Sequence, residues 1–199
     1  ANKRIYQRNE FSVGMVVLKP GSLDETMSKM YFNMEDDIFA VHKVMDEYVE
    51  GNRGKGETNA TDDIMKKLLA VPGLLSIAAG VLKWMDLHGL LPKSIINASP
   101  FHASMTISNL ASIRTNHIFH HIYEFGTTSI LVTLGNMREV PVRKGEEIVF
   151  ERSLPMGIVM DERIGSGAYF AAVFHRFKQY MANPALLEGP PKVVHTTLA

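Results

Sequence analysis

Ser104-Met105-Thr106-Ile107-Ser108-Asn109-Leu110 (SMTISNL) is the stretch on which the fold turns. Its apolar and β-branched residues alternate with small polar ones, the pattern of a short strand with two differently used faces. Downstream, Ser129–Leu134 (SILVTL), Glu147–Arg152 and Leu154–Arg163 have the same character, with glycine, asparagine and proline between them and Gly145-Glu146 placed as a hairpin turn. Gly167 opens a helix over Ala168–Ala182, with Phe170, Phe174, Phe177 and Met181 on one face, and Asn183-Pro184 stops it. Upstream, Phe11–Lys19 is a Val- and Met-rich strand ended by Pro20-Gly21-Ser22, and Met30-Tyr31-Phe32 is a second, short one. Asn33 caps a helix over Glu35–Val49, whose Ile38, Val41, Met45 and Val49 fall on one stripe. Thr61 caps another helix over Asp62–Val71, and Pro72-Gly73 begins a third that ends near Gly89. The expected fold class is α+β, with the strands in one mixed sheet and helices covering it.

Composition narrows the function classes. Twenty-one basic residues balance 21 acidic ones, without the basic surplus of a protein that lives on phosphate backbones, so no nucleic-acid partner is expected. The chain has no cysteine, which excludes disulfides, thiolate nucleophiles and Cys-ligated zinc. That agrees with a cytoplasmic protein. The apolar run Leu68–Leu82 contains Pro72 and falls short of the ~20 residues that span a bilayer. A buried or interfacial helix is the expectation there, with surface association through Leu68–Leu91 as the minor alternative. Gly51–Asn59 (GNRGKGETN) is a polar loop that lacks the phosphate-loop spacing and has no buried strand leading into it.

Three segments in order and spacing resemble the catalytic domain of the 2-oxoacid dehydrogenase acyltransferases, a family that shares its fold with chloramphenicol acetyltransferase. They are Thr106–Leu110 (TISNL), Thr128–Gly135 (TSILVTLG), and Met160–Gly167 (MDERIGSG) just ahead of the last helix. The ending Asn183-Pro184-Ala185-Leu186-Leu187 fits as well, so the likeness runs over residues 11 to 190. It implies one acyltransferase-like domain over residues 1–199, lacking part of the family's N-terminal region and ending in a loose tail over 189–199. It also implies a homotrimer or a higher assembly of trimers, with sites between subunits. The substrate implied is coenzyme A or an acyl-CoA thioester, and no metal is expected.

The likeness also assigns roles. The family's histidine takes a proton from a thiol, an aspartate four residues on fixes the local geometry, and a serine hydroxyl steadies the oxyanion. Ser108 falls on that serine, Glu162 on the histidine, Ser166 on the aspartate, and Gly167 on the glycine that follows. Proton transfer from a thiol near pKa ~8.5 to a carboxylate near ~4.3 is uphill by roughly 6 kcal/mol, against about 3 for a histidine. Glu162 is therefore either the mark of an abandoned site or a substitute acid or base. If 154–163 is one strand, Glu162, Ile164 and Ser166 share a face, and Asp161 and Arg163 form an ion pair or a solvated face on the other. His117, His120, His121 and Glu124 form HxxHHxxE, from which His120 or His121 is a candidate relocated base. A metal site there is the lesser reading. His102 is a further candidate whose plainer role is a loop hydrogen-bonder. Trp84 and the last helix are expected to pack in the core or at a subunit interface, and Phe170 and Phe174 to pack there or wall an acyl channel.

Overall fold

The computed structural model describes residues 8–18, 25–53 and 74–192. Its elements are β1 (Phe11–Leu18), β2 (Glu25–Phe32), α1 (Ile38–Arg53), α2 (Leu74–Leu87), α3 (Lys93–Ala98), β3 (Met105–Asn109), β4 (Ile130–Leu134), β5 (Arg138–Lys144), β6 (Glu147–Ser153), β7 (Met156–Met160) and α4 (Gly167–Ala182). Five strands form a mixed sheet in the order β2-β1-β3-β4-β7. β1, β3 and β4 run parallel, and β2 and β7 close the edges antiparallel. The expected α+β class with a mixed sheet is what the chain adopts.

Strand parity explains the two layers. On one face β1 presents Phe11, Val13, Met15 and Val17, and the register sets Met30 beside Val13, with Met105 and Ile107 next in line. Val13, Met15 and Met30 are buried there, and Val44, Met45, Tyr48 and Val49 of α1 pack over them. Each such apolar side chain contributes roughly 1.5–3 kcal/mol by leaving water. Tyr48 pins the helix: its hydroxyl donates to the Met15 carbonyl at 2.6 Å and accepts from Ser28 N at 3.1 Å.

The opposite face is built from small residues so that backbone can lie close on it. Ser12, Thr106 and Thr133 are at most 2% exposed there. Lys29 reaches across to donate to the Ile96 carbonyl of α3 at 2.7 Å. The segment after β3 returns over this face, and the Thr133 hydroxyl accepts from Ile118 N at 3.1 Å and donates to Ile118 O at 2.5 Å. A Cβ on Gly157 would come within 2.3 Å of that carbonyl, so only glycine admits the crossing.

Several expectations are corrected. The second strand starts at Glu25 rather than Met30, because it pairs β1 along its whole length. The first helix starts at Ile38. Asp37 caps it through Oδ1, which accepts from Ala40 N at 2.8 Å, while Asn33 is held instead by the Asp36 carboxylate. Leu154–Arg163 is not one strand: β7 ends at Met160, and the Ile164 N–H to Asp161 carbonyl bond closes a turn. The strands do not make one sheet either. Glu147–Ser153 pairs with Arg138–Lys144, a strand the sequence reading missed, in a separate two-stranded ribbon turned at Gly145. Of the two settings expected for Trp84 the core of this chain is excluded: it is 55% exposed, with its ring tilted against His88 at 4.5 Å between centroids. The expected loop Gly51–Asn59 begins later than expected, because α1 continues through Gly51–Arg53; the rest of that loop, the breaker at 20–22, the helix over 62–71 and the tail beyond 192 lie outside the described residues.

Among the described residues no helix is long and apolar enough to cross a membrane. The described part of the expected interfacial helix, α2, carries Ile77, Val81, Trp84 and Leu87 exposed.

Candidate functional site

Ser108 sits in β3 on the small-residue face, half-buried, with Thr133 directly beside it in register. The next strand places Gly157 beside Thr133. A central parallel strand is a rigid mount, fixed on both sides by ladder bonds, which is what an oxyanion donor needs.

The Glu162–Gly167 turn stands at the other end of the sheet. Ile130 pairs with Met160, three residues along β7 from the Gly157 rung. The end of β7 is therefore about 10 Å along the sheet and a further ~10 Å across it from Ser108. Within one chain Ser108 and Glu162 do not meet.

What the turn does locally is legible. Ser166 is the N-cap of α4, its hydroxyl oxygen accepting from Tyr169 N at 3.4 Å. The Glu162 carboxylate is exposed and lies 3.6 Å from where a Cβ on Gly167 would stand, at the first turn of α4. A negative charge there complements the positive end of the helix dipole. Asp161 and Arg163 form the expected ion pair, Nε to Oδ1 at 2.8 Å and Nη2 to Oδ2 at 2.6 Å. The paired guanidinium holds the Asp161 carboxyl below its ordinary range. Because the added Cβ meets only a movable carboxylate, Gly167→Ala is expected to leave stability within about 0.5 kcal/mol in denaturant titration.

The histidine-rich segment is an irregular crossing strand, not a helix, so the HxxHHxxE spacing does not gather its side chains on one face. Among the described residues no group of three His, Asp or Glu is arranged to hold a metal. His120 and His121 stack at 4.8 Å between centroids, with Tyr123 5.5 Å from His120. His120 Nδ1 is 2.6 Å from the His121 carbonyl, which can only accept. Nδ1 therefore carries a proton and donates this bond. Glu124 pairs with Lys83 of α2 at 2.9 Å, and both Arg163 and His121 act on its charge, so this segment runs beside the Glu162 turn.

His102 is 1% exposed and ties three segments together. Its Nε2 lies 3.1 Å from Asp86 Oδ1 and its Nδ1 2.8 Å from Ser99 Oγ. The second Asp86 oxygen accepts from Gly126 N at 3.0 Å. Burial pushes the imidazole below its ordinary pKa, against the pull of Asp86, so it is neutral, with Nε2–H donating to Asp86 and the Ser99 hydroxyl donating to Nδ1. The bonding order is that of a nucleophilic triad, but Ser99 is only 8% exposed, and the arrangement serves as a latch. The sequence reading missed Thr133, Asp86 and Ser99. Strand parity points to Thr133, whereas nothing local links Asp86 to His102.

The mixed sheet with helices on both faces is the α+β arrangement of the chloramphenicol acetyltransferase-like fold. Residues 96–188, a stretch that includes Ser108 and the Glu162–Gly167 turn, match the 2-oxoacid dehydrogenases acyltransferase (catalytic domain) family. Among curated proteins it is 35% identical over 85 residues to the dihydrolipoyllysine-residue acetyltransferase component of the acetoin cleaving system of Bacillus subtilis (strain 168). That match covers 43% of this chain and 21% of the relative. Among solved structures it is similar to a probable dihydrolipoamide acetyltransferase from Listeria monocytogenes 4b F2365, with a TM-score of 0.52 at 11% identity over 99% of this chain and 64% of that one. It also matches the dihydrolipoamide acetyltransferase of Azotobacter vinelandii with a TM-score of 0.46 at 16% identity, over 91% of this chain and 57% of that one. The chain thus spans about a fifth of the curated relative and less than two thirds of these solved ones.

Proposed function

We propose that this protein moves an acyl group between coenzyme A and a thiol acceptor, with Ser108 as the oxyanion donor and His120 as the base. The observation that carries the reading is that Ser108 stands in a rigid central strand inside the family-matched stretch. In the step, His120 Nε2 takes the proton of the attacking thiol, and the thiolate adds to the thioester carbonyl. The Ser108 hydroxyl donates to the oxyanion so formed. Collapse then expels the coenzyme A thiolate, which recovers the proton from His120. In this reading the protein is a cytoplasmic homotrimer, as the likeness of residues 96–188 to the family implies. The whole of residues 1–199 serves as one domain in this account.

Acetyl transfer from acetyl-coenzyme A to dihydrolipoamide tests it. Ser108→Ala is expected to lower turnover by about 100-fold, the usual effect of losing one oxyanion donor. Glu162→Gln is expected to change it by less than about threefold, since the exposed carboxylate has no part in the proposed step. Unchanged turnover in Ser108→Ala removes that residue from the mechanism.

A second reading, a non-catalytic trimeric scaffold, is favoured by one observation: Glu162 and Ser166 both serve the α4 N-terminus. Acetyl transfer by the purified protein that disappears in Ser108→Ala would dispose of it.

A further inference from the structure

A cavity of about 380 Å³ opens between α1 and the sheet. Its floor is Val13, Met105 and Ile107, and its walls include Phe11, Phe32, Met30, Val41 and Met45. All of the strand residues among these lie on the α1 face, so the cavity is on the opposite side of the sheet from the Ser108 hydroxyl. It is more than twice the roughly 150 Å³ of an engineered apolar void that binds benzene, and within the usual range of small-molecule pockets. The lining supplies almost no hydrogen-bonding groups. Methionine side chains, unbranched and polarisable, adapt to a flexible apolar guest better than branched ones.

The polar groups stand at the mouth, where Asn33, Met34 and Asp36 line the opening. The flanking sequence is acidic throughout, Glu35-Asp36-Asp37. The Asp36 carboxylate accepts from Asn33 N at 2.8 Å and from its side-chain amide at 3.3 Å, and Asp37 Oδ1 from Ala40 N at 2.8 Å, so the two are held in place at the rim. Arg8, just ahead of β1, is paired with Glu10 at 3.3 Å, and Lys43 of α1 with Glu47 at 3.9 Å. A guest carrying a carboxylate or phosphate head would set like charge against this rim.

We propose that this cavity is a second, non-catalytic binding site for a straight aliphatic chain whose head group is cationic or uncharged. It does not depend on the acyl-transfer reading, because it uses the other face of the sheet and none of the residues assigned to that reaction.

Methionine-methyl NMR of the full chain tests it, with dodecylamine, dodecanol and dodecanoate as probes below their aggregation limits. Dodecylamine and dodecanol should shift the methyls of Met30, Met34, Met45 and Met105 while leaving Met156 and Met160 of β7 in place. Dodecanoate should bind about tenfold more weakly, a difference of roughly 1.4 kcal/mol. Val41→Trp, which fills the cavity from the half-buried face of α1, should abolish the shifts in a protein whose thermal midpoint is not lowered. Because that variant can unfold, Asp36→Asn serves as the second one, and it should bring dodecanoate up towards dodecylamine. Shifts spread over all twelve methionines, dodecanoate binding as tight as dodecylamine, or no response to any probe would overturn the proposal.

Discussion

Gly126→Ala is expected to destabilise the protein by about 3–4 kcal/mol, enough to unfold a marginal domain at physiological temperature. Two independent causes add. Gly126 has φ +91°, where an L side chain costs roughly 1–2 kcal/mol. A Cβ there would also stand 2.2 Å from the Phe101 carbonyl oxygen and 2.6 Å from its carbon, and backbone cannot yield as a side chain can. The carbonyl cannot move away cheaply, because it accepts from Thr127 N at 3.0 Å and from the Thr128 hydroxyl at 3.0 Å. Gly80→Ala in α2 is the control of opposite sign. Nothing lies within 4 Å of its added Cβ, and relief of a helical glycine should stabilise by about 0.5–1 kcal/mol. Urea midpoints of the two variants should therefore fall on either side of the parent's.

Asp86→Ala is expected to cost a similar amount, about 3 kcal/mol, by stranding one buried and one half-buried donor at once. His102 Nε2–H and Gly126 N–H both lose their acceptor, in a site where His102 is 1% exposed. The same latch gives stability a pH dependence with a definite sign. The folded-state pKa of His102 is depressed, so the unfolded chain binds the proton more readily, with an ordinary value of about 6.5. Its contribution is fully present above about pH 6.5 and is lost as pH falls below that towards the folded-state value. Unfolding free energy should thus decline as pH falls below roughly 6.5, and the part due to this group should vanish in His102→Gln. A decline of the same size in that variant would assign the effect to other groups.

Much of this architecture was legible because strand parity is local. SMTISNL, SILVTL and FSVGMVVL carry their two faces in their own alternation, and Gly167 after Ser166 announces a helix start. Arg138–Lys144 escaped because a solvated ribbon needs no apolar stripe, and Val140 and Val142 are interrupted by Pro141 and arginine. The run Leu154–Arg163 was read too long because nothing in it marks the end of a strand. Only the pairing of Ile130 with Met160 and the turn at Asp161 decide where the ladder stops. The sequence singled out Ser108 and the Glu162 turn but was silent on the distance between them, which is a property of register. The Asp86–His102 pair was out of reach for a related reason: sixteen residues and two helix ends separate the partners, and no spacing rule brings them together.

Glu162 illustrates how a structure changes the meaning of a substitution. Read along the chain, it is a weak base in place of a strong one. In the fold it sits exposed at the first turn of α4, beside a serine that caps the same helix, and this division of labour is what moves the proposed base to His120.

The central claim is that a coenzyme A site persists in this protein. Isothermal titration of coenzyme A and acetyl-coenzyme A into the full chain, with its mass followed by light scattering, tests it most directly. The account predicts a trimer that binds one ligand per chain with micromolar affinity, about 8 kcal/mol. No heat and no thermal stabilisation at millimolar ligand would contradict it and leave the scaffold reading standing.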